Sequence, residues 1–119
     1  MKENILKDKA YKFALRCVKL YQYLGDERKE FVMSKQVLRS GTSIGANIEE
    51  ANQAQSKSDF IHKLLISQKE SFETHYWIRI LRDTDFLNEK PADSLLTDCE
   101  EIQKLITSSI KTAKTNLQK

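Results

Sequence analysis

Two histidines, two cysteines and a scatter of carboxylates carry what chemistry this chain has to offer. His62 and His75 lie 13 positions apart. On one helix that is ~20 Å, too far to share a metal ion. Glu70 and Glu73 precede His75, but not at the Glu-x-x-His spacing with which di-iron bundles hold their metals. Cys17 and Cys99 are too far apart in sequence to form a short metal-binding pair. No phosphate loop, dinucleotide fingerprint or nucleophile elbow is present. An enzyme with a metal or small-molecule site is therefore the reading ranked last. No catalytic residue, metal ligand or cofactor is assigned.

Two other polar sets have regular spacing. Lys9, Lys12, Arg16 and Lys19 recur every three or four residues, and Tyr23 closes the row. Such a row tracks a phosphate backbone in nucleic-acid-binding proteins, and it is also what an ordinary solvated helix face looks like. Arg39, Ser43, Asn47 and Glu50 form the second set. It reads either as a recognition stripe or as a polar seam where small residues let two helices meet and hydrogen-bond. The seam is the preferred reading, with Glu73 as a partner for Arg39.

Helices must hold these residues. The chain has 119 residues with only three Gly and one Pro, 39% hydrophobic and 31% charged. That composition fits one domain over residues 1–119, built from helices with one apolar face each. A first helix is expected over residues 5–24, with Leu6, Ala10, Phe13, Ala14, Cys17, Leu20, Tyr21 and Leu24 on one face. Gly25 and Asp26 are its expected stop. A second is expected over 30–53, with Met33, Val37, Gly41, Ile44, Ile48 and Ala51 as its apolar stripe. Gly41 and Gly45 lie one turn apart and permit close helix packing. The alternative is a helix broken at 40–42, where residues are poor helix formers.

A third helix is expected from residue 58 to 81 or 84, with Ser56 and Asp59 as a capping pair. Its apolar residues fall into three sets: Ile61, Leu65, Phe72 and Tyr76; Phe60, Leu64, Ile78 and Leu81; and Ile66, Trp77 and Ile80. Two neighbours in a bundle cannot cover all three, so Ile66, Trp77 and Ile80 are the expected subunit interface. A polar connection over 83–93 leads to a fourth helix over 92–117, with Pro91 at or just before its start. Leu95, Cys99, Ile102, Ile106, Ile110, Ala113 and Leu117 form its stripe. Four such helices with short connections pack as an all-α, up-and-down antiparallel four-helix bundle.

No run approaches ~18 apolar residues, so no membrane partner is expected. The charged N-terminal stretch MKENILKDKAYKF lacks the apolar run of a signal peptide, which places the protein in the cytoplasm. The two cysteines then read as small buried hydrophobes rather than a disulfide. The net charge of +3 permits acidic partners without requiring them.

The segment QVLRSGTSIGANIEEANQAQSKSDFIHKLLISQKESFETHYWIRIL, residues 36–81, resembles the four helix bundle proteins encoded by intervening sequences in bacterial large-subunit ribosomal RNA genes. The resemblance rests on Arg39, Ser43, Ile44, Asn47, Ile48 and Glu50, followed by Phe60, Ile61, Leu64, Ser71 and Glu73. This chain has Gly45 where members of that family often have Pro, and Ala51 where they usually have Gly. Ala51 predicts that the second helix continues for another turn. The resemblance implies a four-helix bundle assembled as a homo-oligomer, a ring of five copies. It also implies a relationship to the accessory protein of diversity-generating retroelements, which is similar to a basic pentameric barrel that binds nucleic acid and a reverse transcriptase.

Two functions follow as expectations. One is a homo-oligomeric module binding RNA or DNA through Lys9, Lys12, Arg16 and Lys19. The other is a scaffold or adaptor that binds another protein without nucleic acid.

Overall fold

The computed structural model describes residues 2–118, with side chains described for residues 5–116. Four helices account for nearly all of it: α1 (Lys2–Arg28), α2 (Met33–Ala51), α3 (Lys57–Asp83) and α4 (Glu89–Gln118). Each packs on the next and α4 closes back onto α1, while the backbones of the diagonal pairs α1/α3 and α2/α4 stay further apart. Contacts between neighbours run in opposite senses. Gly41 and Gly45 of α2 face Cys17 and Ala10 of α1. Arg39 and Glu50 of α2 reach Glu70 and Lys63 of α3. The fold is an all-α, up-and-down antiparallel bundle, 52 Å long and about 20 Å across. Among the described residues, no helix is long and apolar enough to cross a membrane.

The single-faced helices bury most of the stripes their periodicity marks, with Ala14 and Tyr21 of α1 and Met33 of α2 only half-buried. Leu6, Ala10, Phe13, Cys17, Leu20 and Leu24 of α1 are in the core. So are Val37, Ile44, Ile48 and Ala51 of α2, and Leu95, Cys99, Ile102, Ile106, Ile110 and Ala113 of α4. The side chain of Leu117 lies outside the described residues. The helix ends differ from expectation. Gly25 is helical and α1 runs on to Arg28; the left-handed residue that stops it is Lys29, at φ 54°. Glu30 is not in α2 but caps it. Its carboxylate accepts from the backbone N–H groups of Val32 (3.0 Å), Met33 (2.9 Å) and Ser34 (2.7 Å). These N–H groups have no acceptor within the helix, so the buried carboxylate satisfies them.

Helix α2 is continuous through residues 40–42. Gly41 lies against Cys17 so closely that a Cβ would overlap the thiol. Ala51 does not extend the helix. The N–H groups of Gln53 and Ala54 bond three residues back, to Glu50 and Ala51, which tightens the chain into a turn. Ser56 caps α3 as expected, its hydroxyl accepting from Asp59 N–H at 3.0 Å. At the far end Asp85, at φ 67°, takes the left-handed position; Phe86 N–H bonds Leu81 C=O and Asp85 N–H bonds Arg82 C=O. Helix α4 starts three residues earlier than expected, at Glu89. Pro91 sits in its first turn, where the missing N–H has no partner to lose, and the first bond runs from Ala92 N–H to Asn88 C=O.

Candidate interaction surfaces

Three surfaces hold the residues marked by the sequence. The first is the basic row of α1. It lies on the flank towards α4 rather than on the far side, because α1 has its core face between α2 and α4. Lys9 Nζ is 2.5 Å from Glu101 Oε1. Arg16 Nη1 is 2.6 Å from Asp98 Oδ2, and its Nη2 donates to Ser94 Oγ at 3.1 Å. The hydrogen bond to Glu101 raises the Lys9 pKa. Lys12 and Lys19 are exposed and, among the described residues, form no ion pair. Arg16 and Lys19 rim a groove of about 350 Å³ whose floor includes Leu20, Leu87 and Leu95. Half of the row is therefore matched by carboxylates within its own chain.

The second surface is the stripe of α2 with the facing side of α3. Arg39 Nη1 is 3.0 Å from Glu70 Oε2, and Nη2 bonds Glu73 Oε2. Glu73 also accepts from the Trp77 indole N–H at 3.1 Å. Burial alone would raise the Glu73 pKa; the bonds from Arg39 and Trp77 outweigh it and hold the carboxyl below its ordinary value. Ser43 and Asn47 spend their side chains on α2 itself. Ser43 Oγ donates to Arg39 C=O at 2.7 Å, and Asn47 Nδ2 to Ser43 C=O at 2.8 Å. Glu50 pairs with Lys63 at 2.9 Å. Ile44 and Ile48 point into the core. Deeper in the same seam, Thr74 Oγ1 lies 2.8 Å from Ser40 Oγ, and Ser67 Oγ donates to Ile44 C=O at 2.8 Å. Small residues bring α2 and α3 close, and every polar group named here finds a partner. Of the stripe, Arg39 and Glu50 join α2 to α3 within one chain.

Glu70 is the residue sequence reasoning missed. It is only 8% exposed, yet it carries a carboxylate. Its place among Ser67, Ser71 and Thr74, at three- and four-residue spacing, was the available signal for a buried polar face.

The third surface is the outside of α3. Ile66, Trp77 and Ile80 are half-buried, and Trp77 packs against the core. The apolar side chains left in solvent are Leu65 at 40% exposure, Phe72 at 57% and Tyr76 at 51%. The Arg79 guanidinium lies over the Tyr76 ring at 5.8 Å. On the diagonally opposite helix, Tyr11 is 61% and Leu15 47% exposed.

Nucleophile and metal chemistry have little to work with. Burial pushes the Cys17 and Cys99 thiols up to about 12, and Cys99 Sγ donates to Ser71 C=O. His75 Nε2 lies 2.8 Å from Glu100 Oε2, while His62 is exposed. Among the described residues no group of three metal-ligating side chains converges.

The sequence profile of the family described as 23S rRNA-intervening sequence protein matches residues 2–108. The chain belongs to that family. A crystal structure from Bacteroides thetaiotaomicron, described as a protein of unknown function from the S23 ribosomal protein family, superimposes with a TM-score of 0.92. The two are 56% identical, over 93% of this chain and 99% of that one. No curated protein matches. In this member of the 23S rRNA-intervening sequence protein family, Arg39 and Glu50 thus reach across to α3, Ser43 and Asn47 bond within α2, and Gly45 sits where α2 crosses the Ala10 backbone.

Proposed function

We propose that this family member is a non-enzymatic cytoplasmic module that assembles with copies of itself, in the ring of five that the resemblance implies. The observation that carries this reading is the row Leu65, Phe72 and Tyr76. Three large apolar side chains on one line of α3 face solvent, besides Tyr11 and Leu15 on α1. Contiguous apolar surface of this kind marks a contact site, because leaving it wet forgoes ~25 cal/mol per Å². Two buried free thiols are in keeping with a reducing compartment. Light scattering on the purified chain tests the assembly. A mass several times that of the 13.8 kDa monomer is expected, and a monomer at high concentration would overturn the reading.

A second reading adds nucleic acid, and the exposed, unpaired Lys12 and Lys19 favour it. One chain offers few free cations, but an oligomer repeats them and their fields add. Fluorescence anisotropy with structured RNA at two salt concentrations tests it. Salt-sensitive binding that Lys12→Glu with Lys19→Glu abolishes is expected. Binding that ignores both salt and the charge reversals would leave a scaffold for proteins as the function.

A further inference from the structure

We infer that one end of the bundle binds a small organic oxyanion, a phosphate or carboxylate carried on a compact polar body. The α2–α3 turn, the start of α3 and the last turns of α4 enclose a cavity of about 520 Å³ there, a size usual for small-molecule sites. Ala51 at the end of α2, Ala54 in the turn and Ala113 on α4 line it with methyl groups only, and Phe60 of α3 adds an aromatic wall.

The Ser109 hydroxyl lacks a partner. Ser109 lines the cavity on α4 and is only 6% exposed. Among the described residues, its Oγ is the one buried side-chain oxygen or nitrogen without a hydrogen bond. Other hydroxyls in these helices behave differently. Those of Ser40, Ser43, Thr97 and Thr115 each donate to the carbonyl four residues back. Ser109 makes no such bond to Leu105 C=O. Folded proteins leave few buried hydroxyls unpaired, because the lost hydration is not repaid. A polar group of a ligand seated in the cavity supplies the partner.

The start of α3 sets the charge of that ligand. Ser56 Oγ accepts from Asp59 N–H and Ser56 C=O from Phe60 N–H, which leaves the N–H groups of Lys57 and Ser58 without an acceptor. They stand at the positive end of a 27-residue helix whose Ser56 and Lys57 line the cavity. Lys57 is the only charged residue among the described lining, and it forms no ion pair with a described residue. Asp59, the acid of the first turn, lies outside the lining and acts on Lys63.

One ligand uses all of these features. Its oxyanion takes the free N–H groups and the Lys57 ammonium, its body lies against Phe60 and the alanines, and a hydrogen-bonding group reaches Ser109. The amides of Asn52 and Asn116, exposed at the rim, serve further hydroxyls. No carboxylate, imidazole or thiol belongs to the described lining, so the site binds without turning its ligand over. It stands apart from the α3 row on which self-assembly rests.

The test titrates the full chain with ribose 5-phosphate, gluconate, ribose and inorganic phosphate, followed by amide NMR spectra. Saturating shifts at Lys57, Ser58 and Ser109 are expected with ribose 5-phosphate or gluconate, and the tighter of the two identifies the head group as phosphate or carboxylate. Inorganic phosphate should move Lys57 and Ser58 alone and bind more weakly, and ribose should move none of the three. Lys57→Gln is expected to weaken binding about tenfold, and Ser109→Ala several-fold. Ser109→Ala should melt no lower than wild type, since it removes an unpaired buried hydroxyl. Ala113→Leu fills the cavity and should abolish binding with the helical circular dichroism kept; Ala54→Leu, in the turn, serves if Ala113→Leu unfolds. Shifts that fail to saturate with every probe, that spread over all surface lysines, or that survive the filled cavity would overturn the site. A lower melting point for Ser109→Ala would also overturn it, because the hydroxyl would then already have a partner.

Discussion

Gly41 of α2 lies against the Cys17 thiol of α1, with no room between them for a methyl group. A Cβ built at Gly41 would overlap Cys17 Sγ and come within 3.0 Å of Cys17 Cβ. One turn on, a Cβ at Gly45 would make only ordinary contacts, at 3.5 Å from Ala10 C=O. Two glycines on one helix stripe therefore differ in what they permit. Gly41 sets how near α1 approaches α2, and Gly45 does not.

The two glycines should respond oppositely to alanine. Gly41→Ala overpacks a buried contact and is expected to cost about 1–3 kcal/mol despite the better helix propensity of Ala. Gly45→Ala keeps that propensity gain and should stabilise by up to about 1 kcal/mol. Urea unfolding of both variants decides. Equal effects of the same sign would show that Gly41 is not set by Cys17. In a double-mutant cycle, Cys17→Ala should recover part of the Gly41→Ala loss.

The same contrast shows how far the sequence is legible. Helices α1, α2 and α4 each have one apolar stripe, and one stripe leaves one way to pack. Helix α3 has three, and periodicity alone cannot say which neighbours cover which. Trp77 turns inward against the core, while Phe72 and Tyr76 stay wet. The basic row posed a different problem. Lys9, Lys12, Arg16 and Lys19 stand close together in the sequence, but the carboxylate that binds Arg16 is 82 positions away. Only the antiparallel return of α4 brings Asp98 and Glu101 beside the row. Gly25 misled because a glycine permits a helix stop without enforcing one. The cap that fixes the turn is the Glu30 carboxylate, which no N-cap preference for Ser, Thr, Asp or Asn would flag.

The end of α1 yields a prediction of its own. Lys29 holds a left-handed backbone that costs a side-chain-bearing residue about 1 kcal/mol, and glycine adopts it freely. Lys29→Gly is expected to raise stability by about 0.5–1 kcal/mol. Gly25→Ala should be neutral or stabilising, since Gly25 is helical and a Cβ there meets the Phe31 ring at 3.5 Å. Thermal melts of both variants check this. Marked destabilisation by Gly25→Ala would restore Gly25 as the helix stop.

Arg39→Met should expose how the seam is held. The substitution leaves Glu70, 8% exposed, without its cation and removes one of the two bonds to Glu73. Arg39 is itself half exposed, so solvent screens the pair and the expected loss is about 1–2 kcal/mol. Trp77 is the one tryptophan of the chain and donates to Glu73, so its emission reports on the same network. A shifted Trp77 spectrum is expected in the folded variant, and Glu70→Gln on that background should return part of the stability. An unchanged spectrum and melting point would show that the seam stands without Arg39.

The Glu30 cap should make part of the protein's stability acid-sensitive. Burial alone would raise the Glu30 pKa, but the N–H bonds from Met33, Ser34 and Val32 outweigh it and hold the carboxyl below its ordinary value. A carboxyl whose pKa is lower folded than unfolded contributes stability that is fully present above the unfolded value. That contribution is lost as pH falls through the folded value. Glu30→Gln keeps the shape but removes the charge from the start of α2. It is expected to cost about 1 kcal/mol at neutral pH, the usual scale for losing a good cap. The difference between wild type and variant should shrink as pH drops below the ordinary carboxylate range, because wild-type Glu30 is then protonated too. Urea unfolding across an acid pH series measures this difference directly. A gap that stays constant from neutral pH to strong acid would mean that Glu30 acts through its shape alone, and that its charge does nothing for the N-terminus of α2.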